Sequence, residues 1–401
     1  MDAVLDAIRA VVGAAGLLTD IADTAPYAED WRRLYQGRTP AVVRPADTEQ
    51  LAAVMRLCSE HRIAVVPQGG NTSMVAGATP DADNTQIVVS TSRMNRVRAI
   101  DPVDLTMTVE AGVTLKAAQL AAAEADCLLP LSISSEGSAQ IGGVLATNAG
   151  GNNTLRFGNA RDLVLGLEVV LADGTVWNGL RHLHKDNTGY CLRQLFVGSE
   201  GTLGIITAAV LRLQPGVRAR VAALCAVPST EAALEEALAA EEITDAAIAG
   251  SGAQRAAIWK LREEHAEAQK REGASVKNDV SVPVSRVPEL IRRATAACEA
   301  LMPGIRVVPF GHLGDGNIHF NLEQPVDMDA AAFLARDHEI MDAVGEVVRD
   351  LDGSFSAEHG VGKLKPYMMP LWRGGAELDA MQRIKRALDP QGLLNPGKVL
   401  P

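Results

Sequence analysis

Apolar residues in the first half of the chain follow two patterns, one with helical spacing and one of short strands. An apolar stripe from Leu51 to Cys58 follows Asp47, which predicts a helix over 45–61 with Asp47 as its N-cap. Short apolar runs bounded by Gly, Pro and Asp predict strands at 63–66, 86–91, 97–100, 105–110, 163–171, 175–177 and 208–213, with a second helix at 115–124.

The pattern changes around residues 214–220. Pro215-Gly216 interrupts it, and we place a domain boundary there. Beyond this point strands alternate with long helices, as is typical of a sheet with helices packed on one face. The predicted strands are 221–227, 276–284 and 305–310, and the predicted helices are 231–241, 253–272, 287–301, 330–350 and 378–388. The pattern therefore predicts an α+β fold.

Composition and charge argue against several classes of protein. The 401 residues carry a net charge of -11 and only 3% are aromatic, which disfavours binding to nucleic acids and to anionic membrane surfaces. The five cysteines form no C-x-x-C pair, so we expect reduced thiols in a cytoplasmic protein, without an iron–sulfur cluster or a zinc ribbon. We identify no signal peptide, and no apolar run reaches the roughly 18 residues of a membrane helix.

Glycines concentrate in three clusters of the first region: PQGGNTSMVAG after the strand 63–66, SSEGSAQIGGVLATNAGGNN at 134–153, and VGSEGTLGIIT at 197–207. Glycine lets the backbone approach a ligand closely, and successive N–H groups in such turns can bind a pyrophosphate. No G-x-G-x-x-G opens a helix, so the first cluster is not a Rossmann fingerprint. Three clusters in one region favour backbone wrapped around a long ligand such as a dinucleotide.

These clusters, with KDNTGYCLRQLF before the third, resemble the FAD-binding domain of the vanillyl-alcohol oxidase (PCMH) type of flavoprotein. GHLGDGNIHFN and SAEHGVG resemble its D-2-hydroxyacid dehydrogenase branch, which includes D-2-hydroxyglutarate dehydrogenase, flavin-dependent D-lactate dehydrogenase and the flavin subunit of glycolate oxidase. The resemblance runs from about Thr39 to the C-terminus. It implies an FAD-binding domain over 1–216, a ferredoxin-like antiparallel substrate cap over 217–375, and a C-terminal segment, 376–401, that returns to the FAD domain.

The resemblance also implies the residues that bind the cofactor. It places the pyrophosphate on the turn at 69–72, the flavin on the second cluster, and the adenine near Ile205 and Ile206. Some relatives tether FAD through a histidine in the first turn, but none lies between His61 and His182, so we expect non-covalent FAD. The implied cofactor residues are Pro67, Gly69, Gly70, Asn71, Thr72, Ser73, Gly77, Ser135, Gly137, Ser138, Gly142, Gly143, Asn148, Gly150, Gly151, Glu200, Gly204, Ile205, Ile206 and Asn395.

Histidines and a carboxylate indicate a metal site in the second region. His312 and His319 flank a G-D-G turn, and Glu358-His359 lies in another glycine-bounded loop. Two imidazoles and one carboxylate are typical ligands of a catalytic divalent metal. Together with the resemblance, they predict His312, His319 and Glu358 as ligands of Zn²⁺, or else Mn²⁺. A 2-hydroxy acid bound to the metal would be acidified, and His359 would accept its hydroxyl proton.

Arg262, Lys277 and Asn321 are the candidates for substrate binding. An arginine fork can bind a carboxylate through two hydrogen bonds, and in the resembling family a basic residue at each of the first two positions contacts substrate. Asn321 lies two residues after His319, so on a strand it shares the same face, and we assign it to catalysis as well. Two cations favour D-2-hydroxyglutarate. Ala266, where the hydroxyglutarate enzyme has a hydroxyl, leaves D-lactate or glycolate as the alternative.

The expected reaction is oxidation of a D-2-hydroxy acid to the 2-oxo acid. An electron-transfer flavoprotein, a quinone or a cytochrome would accept the electrons, and a homodimer is compatible with this role. The alternatives are an oxidase that reduces oxygen and an FAD-binding subunit without turnover. The stretch from Pro228 to Ser251 is shorter than in the family's cap domain, so either the cap is trimmed or a segment is absent from this sequence.

Overall fold

The computed structural model describes residues 1–227, 229–230, 232–233, 245–269 and 271–401, apart from the side chains of Asp245, Ala266 and Glu267. The chain divides into two compact units. The first comprises Met1–Gly216 with Glu358–Pro401, and the second comprises Val217–Ala357. The breaks expected from the sequence follow residues 216 and 375. The predicted helix 231–241 falls mostly outside the described residues.

The first unit begins with a small mixed sheet and its covering helices. Its elements are α1 Asp2–Val12, β1 Leu17–Leu18, α2 Ile21–Ala28, β2 Val42–Val43, α3 Thr48–His61, β3 Val65–Gln68 and β4 Ile87–Ser90. The strand order is β1–β2–β4–β3, with the last three strands parallel. Helix α3 follows Asp47, whose carboxylate accepts the Gln50 N–H at 2.8 Å, and it buries the stripe from Leu51 to Cys58 as predicted.

A second, antiparallel sheet completes the core of this unit. The elements are β5 Val97–Asp101, β6 Thr106–Glu110, α4 Leu115–Glu124, β7 Cys127–Leu128, α5 Ile141–Ala146, α6 Thr154–Phe157, α7 Ala160–Leu163, β8 Val164–Val170, β9 Val176–Gly179, α8 Arg193–Phe196, β10 Ile205–Arg212 and β11 Gln214–Pro215. The strands run β5–β6–β10–β8–β9, and β7 pairs with β11. Leu115, Ile141 and Leu145 are buried in the cluster that packs α4 and α5 against β6, β8 and β10.

The second unit is built around another antiparallel sheet. Its elements are β12 Ala223–Ala226, β13 Asp245–Ile248, α9 Gly252–Glu263, α10 His265–Gln269, β14 Ser275–Ser281, α11 Val287–Leu301, β15 Arg306–His312, β16 Asn317–Glu323, α12 Ala330–Leu334 and α13 Asp337–Asp350. The sheet order is β14–β16–β15. Val276, Val280, Ile318, Phe320 and Leu322 are buried, and they alternate with polar residues along their strands. Helix α13 packs against β14 and α11.

Several predicted boundaries shift in the second unit. Helix α11 has the predicted bounds, but the helix predicted over 330–350 is interrupted between α12 and α13, and that over 253–272 divides between α9 and α10. Strand β14 ends at Ser281, before Pro283, which has no N–H to offer a neighbouring strand. Among the described helices, none is both long enough and apolar enough to cross a membrane.

The C-terminal part of the first unit contains α14 Met369–Arg373 and α15 Ala376–Leu388. After α15 the chain runs beside β3. The Val65 N–H donates to the Leu393 carbonyl and the Asn395 N–H donates to the Val65 carbonyl, both at 2.8 Å. Lys385 fixes this approach by donating to the Thr202 and Leu394 carbonyls, also at 2.8 Å. The tail is therefore part of the first unit's folded core.

Candidate cofactor and active site

The first two glycine clusters lie against each other in the first unit. Gly70 has no room for a side chain, because the carbonyl group of Ser138 lies where a β-carbon would be. A β-carbon at Gly69 would lie 3.5 Å from the backbone nitrogen of Gly143. The turn after β3 therefore packs backbone to backbone on the second cluster.

The third cluster and the tail join this structure through hydrogen bonds. The backbone N–H of Glu200 donates to the Ala146 carbonyl at 2.8 Å. The side-chain amide of Asn395 donates to the carbonyls of Gly77 and Glu200, both at 2.8 Å. We call the resulting assembly the cofactor cradle, and define it as residues 67–77, 135–151, 198–206 and Asn395.

The cradle has the features of a site that holds a ligand. A β-carbon at Gly137 or Gly143 would meet nothing within 4 Å, so open space borders the backbone there. Oδ1 of Asn395 is buried and lacks a hydrogen-bond partner among the described residues. Buried polar atoms normally have partners, so a donor on a bound molecule fits at this position.

The implied cofactor residues differ in their exposure. The side chains of Ile205 and Ile206 are buried in apolar clusters, so any contact of theirs with a ligand would involve the backbone. The exposed or half-buried residues are Pro67, Gly69, Gly70, Asn71, Thr72, Ser73, Gly77, Ser135, Gly137, Ser138, Gly143 and Asn148. The remaining buried residues are Gly142, Gly150, Gly151, Glu200, Gly204 and Asn395.

One face of the β14–β16–β15 sheet in the second unit carries several of the residues predicted to bind the metal or the substrate. Side chains alternate between the faces of a strand, and the strand register pairs Lys277 with Asn321 and Asp279 with His319. His312, at the end of β15, lies on the same face. We call these five residues the polar sheet face. It brings together four of the residues predicted from the sequence and adds Asp279.

His319 and Asp279 lie close together on this face. Nδ1 of His319 lies 3.5 Å from Oδ1 of Asp279, which also accepts a hydrogen bond from the Asn317 amide at 2.9 Å. The rings of His312 and His319 meet edge to face, with centroids 5.9 Å apart. Imidazole nitrogens and a carboxylate oxygen are ligands that a divalent metal accepts. Asp279 was not among the predicted ligands, although its alternation with Lys277 in KNDV places it on this face.

Arg262, on α9, lies beside His312. Its Nη2 is 3.5 Å from Nε2 of His312, and its guanidinium carbon is 5.7 Å from the ring centroid of Phe310. Burial lowers the pKa of His312, and the positive charge of Arg262 lowers it further. The neutral imidazole that results can accept a hydrogen bond or bind a metal.

Gln269, at the end of α10, links two of the predicted substrate residues. Its Oε1 accepts hydrogen bonds from Asn321 at 2.8 Å and from Lys277 at 3.4 Å. Its Nε2 is buried without a partner in the described part of the chain, and so can donate to a bound carboxylate. No sequence pattern marks Gln269, which lies in a run of charged residues.

Glu323, also on β16, is a buried carboxylate close to this group. Neither of its carboxylate oxygens has a hydrogen-bond partner among the described atoms. Burial raises the pKa of Glu323, while the charges of Lys277 and Arg306 act in the opposite direction. The positive charge of Lys277 therefore favours the ionised form of Glu323.

Glu358 and His359 stand where the chain returns to the first unit. Within the second unit, the preceding Ala357 donates its N–H to the Asp279 carbonyl at 3.2 Å. Within the first unit, Oε1 of Glu358 lies 3.3 Å from where a β-carbon of Gly150 would be. Both side chains are half-buried. The predicted ligand Glu358 therefore lies beside the second glycine cluster.

Comparison with known proteins identifies the family. A model described as FAD binding domain matches residues 39–179, and one described as FAD linked oxidases, C-terminal domain, matches residues 207–399. The D-2-hydroxyglutarate dehydrogenase of Xanthomonas citri pv. viticola is 35% identical over 454 residues, covering 98% of this chain and 96% of the relative. The chain belongs to the FAD-dependent D-2-hydroxyacid dehydrogenase family. The dehydrogenase is thus an FAD-dependent enzyme, as predicted.

Other relatives and solved structures agree with this assignment. The mitochondrial D-2-hydroxyglutarate dehydrogenase of Bos taurus is 36% identical over 451 residues, covering 96% of the dehydrogenase and 81% of the relative. Alkyldihydroxyacetonephosphate synthase has a TM-score of 0.74 at 14% identity, covering 99% of this chain and 84% of its own. p-Cresol methylhydroxylase has a TM-score of 0.72 at 17% identity, covering 99% and 96%. These structures confirm the predicted α+β fold of the PCMH type.

Proposed function

We propose that the dehydrogenase oxidises D-2-hydroxyglutarate to 2-oxoglutarate with the help of FAD and a divalent metal. The observation that carries the choice of a diacid is the presence in the second unit of two cations, Arg262 and Lys277, with the amides of Gln269 and Asn321 beside Lys277. A dicarboxylate needs charged or amide donors for two carboxylate groups. The names of the curated relatives support the same substrate.

The substrate carboxylates would be bound by different kinds of donor. Lys277 and the orphan Nε2 of Gln269 offer one charged and one neutral donor that lie close together. Arg262 offers a planar fork, which suits a second carboxylate. Asn321 would hold Gln269 in place through the hydrogen bond at 2.8 Å and could itself contact the substrate.

The cofactor cradle would hold FAD without a covalent bond. Its glycine backbone at 69–72 would face the pyrophosphate, and Asn395 would offer its buried Oδ1 to a hydroxyl or N–H group of the cofactor. When bound, FAD supplies the acceptor for the hydride that leaves the C2 atom of the substrate.

A divalent metal, Zn²⁺ or Mn²⁺, would be held by His319 and Glu358 with His312 or Asp279. The donor set fits, because His319 and Asp279 approach to 3.5 Å and are nitrogen and oxygen ligands. A metal bound there would supply a Lewis acid that lowers the pKa of the substrate hydroxyl. His359 would accept the hydroxyl proton, and Asn321 would orient the substrate toward that base.

A monoacid such as D-lactate or glycolate is the second candidate, and Glu323 favours it. This group is buried near Lys277, and in its ionised form it would repel a substrate carboxylate placed there. If the charge of Lys277 serves Glu323 instead of the substrate, Arg262 remains for a single carboxylate.

Anaerobic reduction of the bound flavin tests both candidates. The purified yellow protein is mixed without oxygen with D-2-hydroxyglutarate, D-lactate, glycolate and the L-enantiomers, and bleaching at the flavin absorbance is followed. We expect fast bleaching with D-2-hydroxyglutarate and slow or no bleaching with the others. Faster bleaching with D-lactate would transfer the assignment to the monoacid. No bleaching with any acid would indicate an FAD-binding subunit without turnover.

We propose an electron-transfer flavoprotein or a quinone, not oxygen, as the acceptor that reoxidises the flavin. Reduced enzyme is mixed with air-saturated buffer, with a quinone analogue, or with electron-transfer flavoprotein. Reoxidation by either of the last two should exceed that by oxygen. Faster reoxidation by oxygen would identify an oxidase.

A further inference from the structure

The loop that follows His359 folds around the carboxylate of Glu200. The N–H groups of Val361 and Gly362 donate to the two carboxylate oxygens at 2.7 and 2.8 Å. Gly360 and Gly362 have φ of 80° and 52°, the conformation that turns successive N–H groups toward one anion. The loop is therefore an anion nest, and its anion is a side chain of the same unit.

Hydrogen bonds within the cofactor cradle fix the backbone of Glu200. Its backbone N–H donates to the Ala146 carbonyl at 2.8 Å, and its carbonyl accepts the Asn395 amide at 2.8 Å. The residue is buried, so its carboxylate has no competing contact with bulk water. Burial raises the pKa of Glu200 to about 6, and the positive charge of Lys365 opposes that rise, so the carboxyl group is largely ionised at pH 7. The carboxylate is thus a fixed point within the cofactor cradle.

The fit between the loop and Glu200 leaves little freedom. A β-carbon at Gly360 would lie 2.6 Å from Oε1 of Glu200. On the other side of the loop, the Lys363 N–H donates to the Val75 carbonyl at 2.9 Å, and the Val399 N–H donates to the Gly362 carbonyl at 3.0 Å. Glu358 and His359 precede this fixed segment directly, so their backbone inherits its position.

We infer that Glu200 is a positioning residue, whose carboxylate fixes the loop from which His359 and Glu358 project. The inference rests on the proposed function in taking His359 as the base and Glu358 as a metal ligand. It gives Glu200 a role different from the cofactor contact expected from the sequence: the carboxylate acts through the loop and not on FAD.

Glu200→Gln is the direct test, since the two side chains have nearly the same shape. The amide can accept only one of the two N–H groups, and its NH₂ opposes the other. Displacing a catalytic group by about 1 Å can cost about 100-fold in rate. We expect flavin reduction about 100-fold slower, with FAD still bound in full and KM within a few-fold. Unchanged reduction would overturn the inference, and so would loss of FAD with normal reduction in the remaining holoenzyme.

Gly360→Ala disturbs the same contact from the loop side. Gly375→Ala is its matched control, because Gly375 has φ of 71° but nothing within 4 Å of the position of a β-carbon. We expect slow reduction in Gly360→Ala and normal reduction in Gly375→Ala. The double variant Glu200→Gln with Gly360→Ala should be little slower than either single variant, because both substitutions disrupt the same interaction between the loop and Glu200. If the rate losses of the two single variants multiply in the double variant, the inference is overturned. If Glu200→Gln fails to fold, Gly360→Ala still tests the inference.

Hydrogen exchange separates this inference from the proposed function. The amides of Val361 and Gly362 should be protected in the wild-type holoenzyme and should exchange at least tenfold faster in Glu200→Gln. If no hydroxy acid reduces the flavin of the wild type but exchange still differs between the two proteins, the proposed function is wrong and the contact between Glu200 and the loop is confirmed. If exchange is equal in the two proteins, the positioning role fails whatever the activity.

Discussion

The cofactor cradle and the polar sheet face use different parts of the polypeptide. The cradle is made mostly of backbone: glycines that admit a neighbouring chain, and carbonyls that accept hydrogen bonds from Asn395. The polar sheet face is made of side chains, placed on one side by the alternation of β14, β16 and β15. The first depends on conformation and close packing, and the second on the identity of each side chain.

The difference predicts how the two regions respond to substitution. Conservative changes of side chain on the polar sheet face should alter turnover and leave FAD bound. Changes at the glycines of the cradle should alter FAD binding before they alter chemistry. His359 depends on both features, because its chemistry requires its side chain and its position is set by the backbone of a loop in the first unit.

The largest effect is expected for His359→Ala. Loss of a general base typically slows a reaction by about 10²–10⁴-fold. We expect flavin reduction about 1,000-fold slower, with FAD content unchanged, measured by anaerobic stopped flow. His338→Ala, at an exposed position on α13, is the control and should behave as wild type. Near-normal reduction in His359→Ala would remove it as the base.

Asp279→Asn should have the next largest effect. The amide keeps the shape of the carboxylate but removes the charge beside His319. Metal affinity should fall about 10–100-fold, whether Asp279 is a ligand or orients His319. Metal content and activity are measured after dialysis against EDTA and titration with Zn²⁺ or Mn²⁺. Asp342→Asn, exposed on α13, is the control. Full turnover of EDTA-treated wild type would refute the metal altogether.

Lys277→Ala tests whether the polar sheet face binds a second carboxylate. A hydrogen bond to a charged group is worth about 1.5–3 kcal/mol, so KM for D-2-hydroxyglutarate should rise at least about tenfold. KM for D-lactate should change less. Lys260→Ala, on the exposed side of α9, is the matched control. An equal rise in KM for both substrates would indicate that Lys277 interacts with Glu323 and not with the substrate.

The smallest effect concerns the pH dependence of stability in the cradle. Burial raises the pKa of Glu200 to about 6, above its ordinary value of 4.5. The folded protein therefore binds this proton more tightly than the unfolded chain does. The stabilisation is complete below pH 4.5 and is lost as the pH rises through about 6, a change of about 2 kcal/mol.

Urea unfolding of wild type and Glu200→Gln at pH 4.5 and pH 7 measures this effect. From pH 4.5 to pH 7, the free energy of unfolding should fall by about 2 kcal/mol more in wild type than in the variant. Parallel pH dependence in the two proteins would show that Glu200 does not titrate in this range.

The sequence predicted some elements well because local signals agreed. Helix α11 has the predicted bounds, and His319 and Asn321 share a face because strand alternation is a local rule. Asp279 was missed as a candidate because its relation to His319 depends on strand register, which couples residues far apart in sequence. Gln269 was missed for the same reason, since only tertiary packing brings its amide to Lys277 and Asn321.

The hydrogen bond from Asn395 to Gly77 joins positions 318 residues apart. During synthesis on the ribosome, the turn after β3 emerges first, the whole second unit follows, and Asn395 emerges last of the three. The cradle therefore cannot close until the second unit and Asn395 have both been synthesised, and contacts of such high sequence separation form slowly. Loading with FAD should accordingly follow synthesis of the second unit, which has time to fold first.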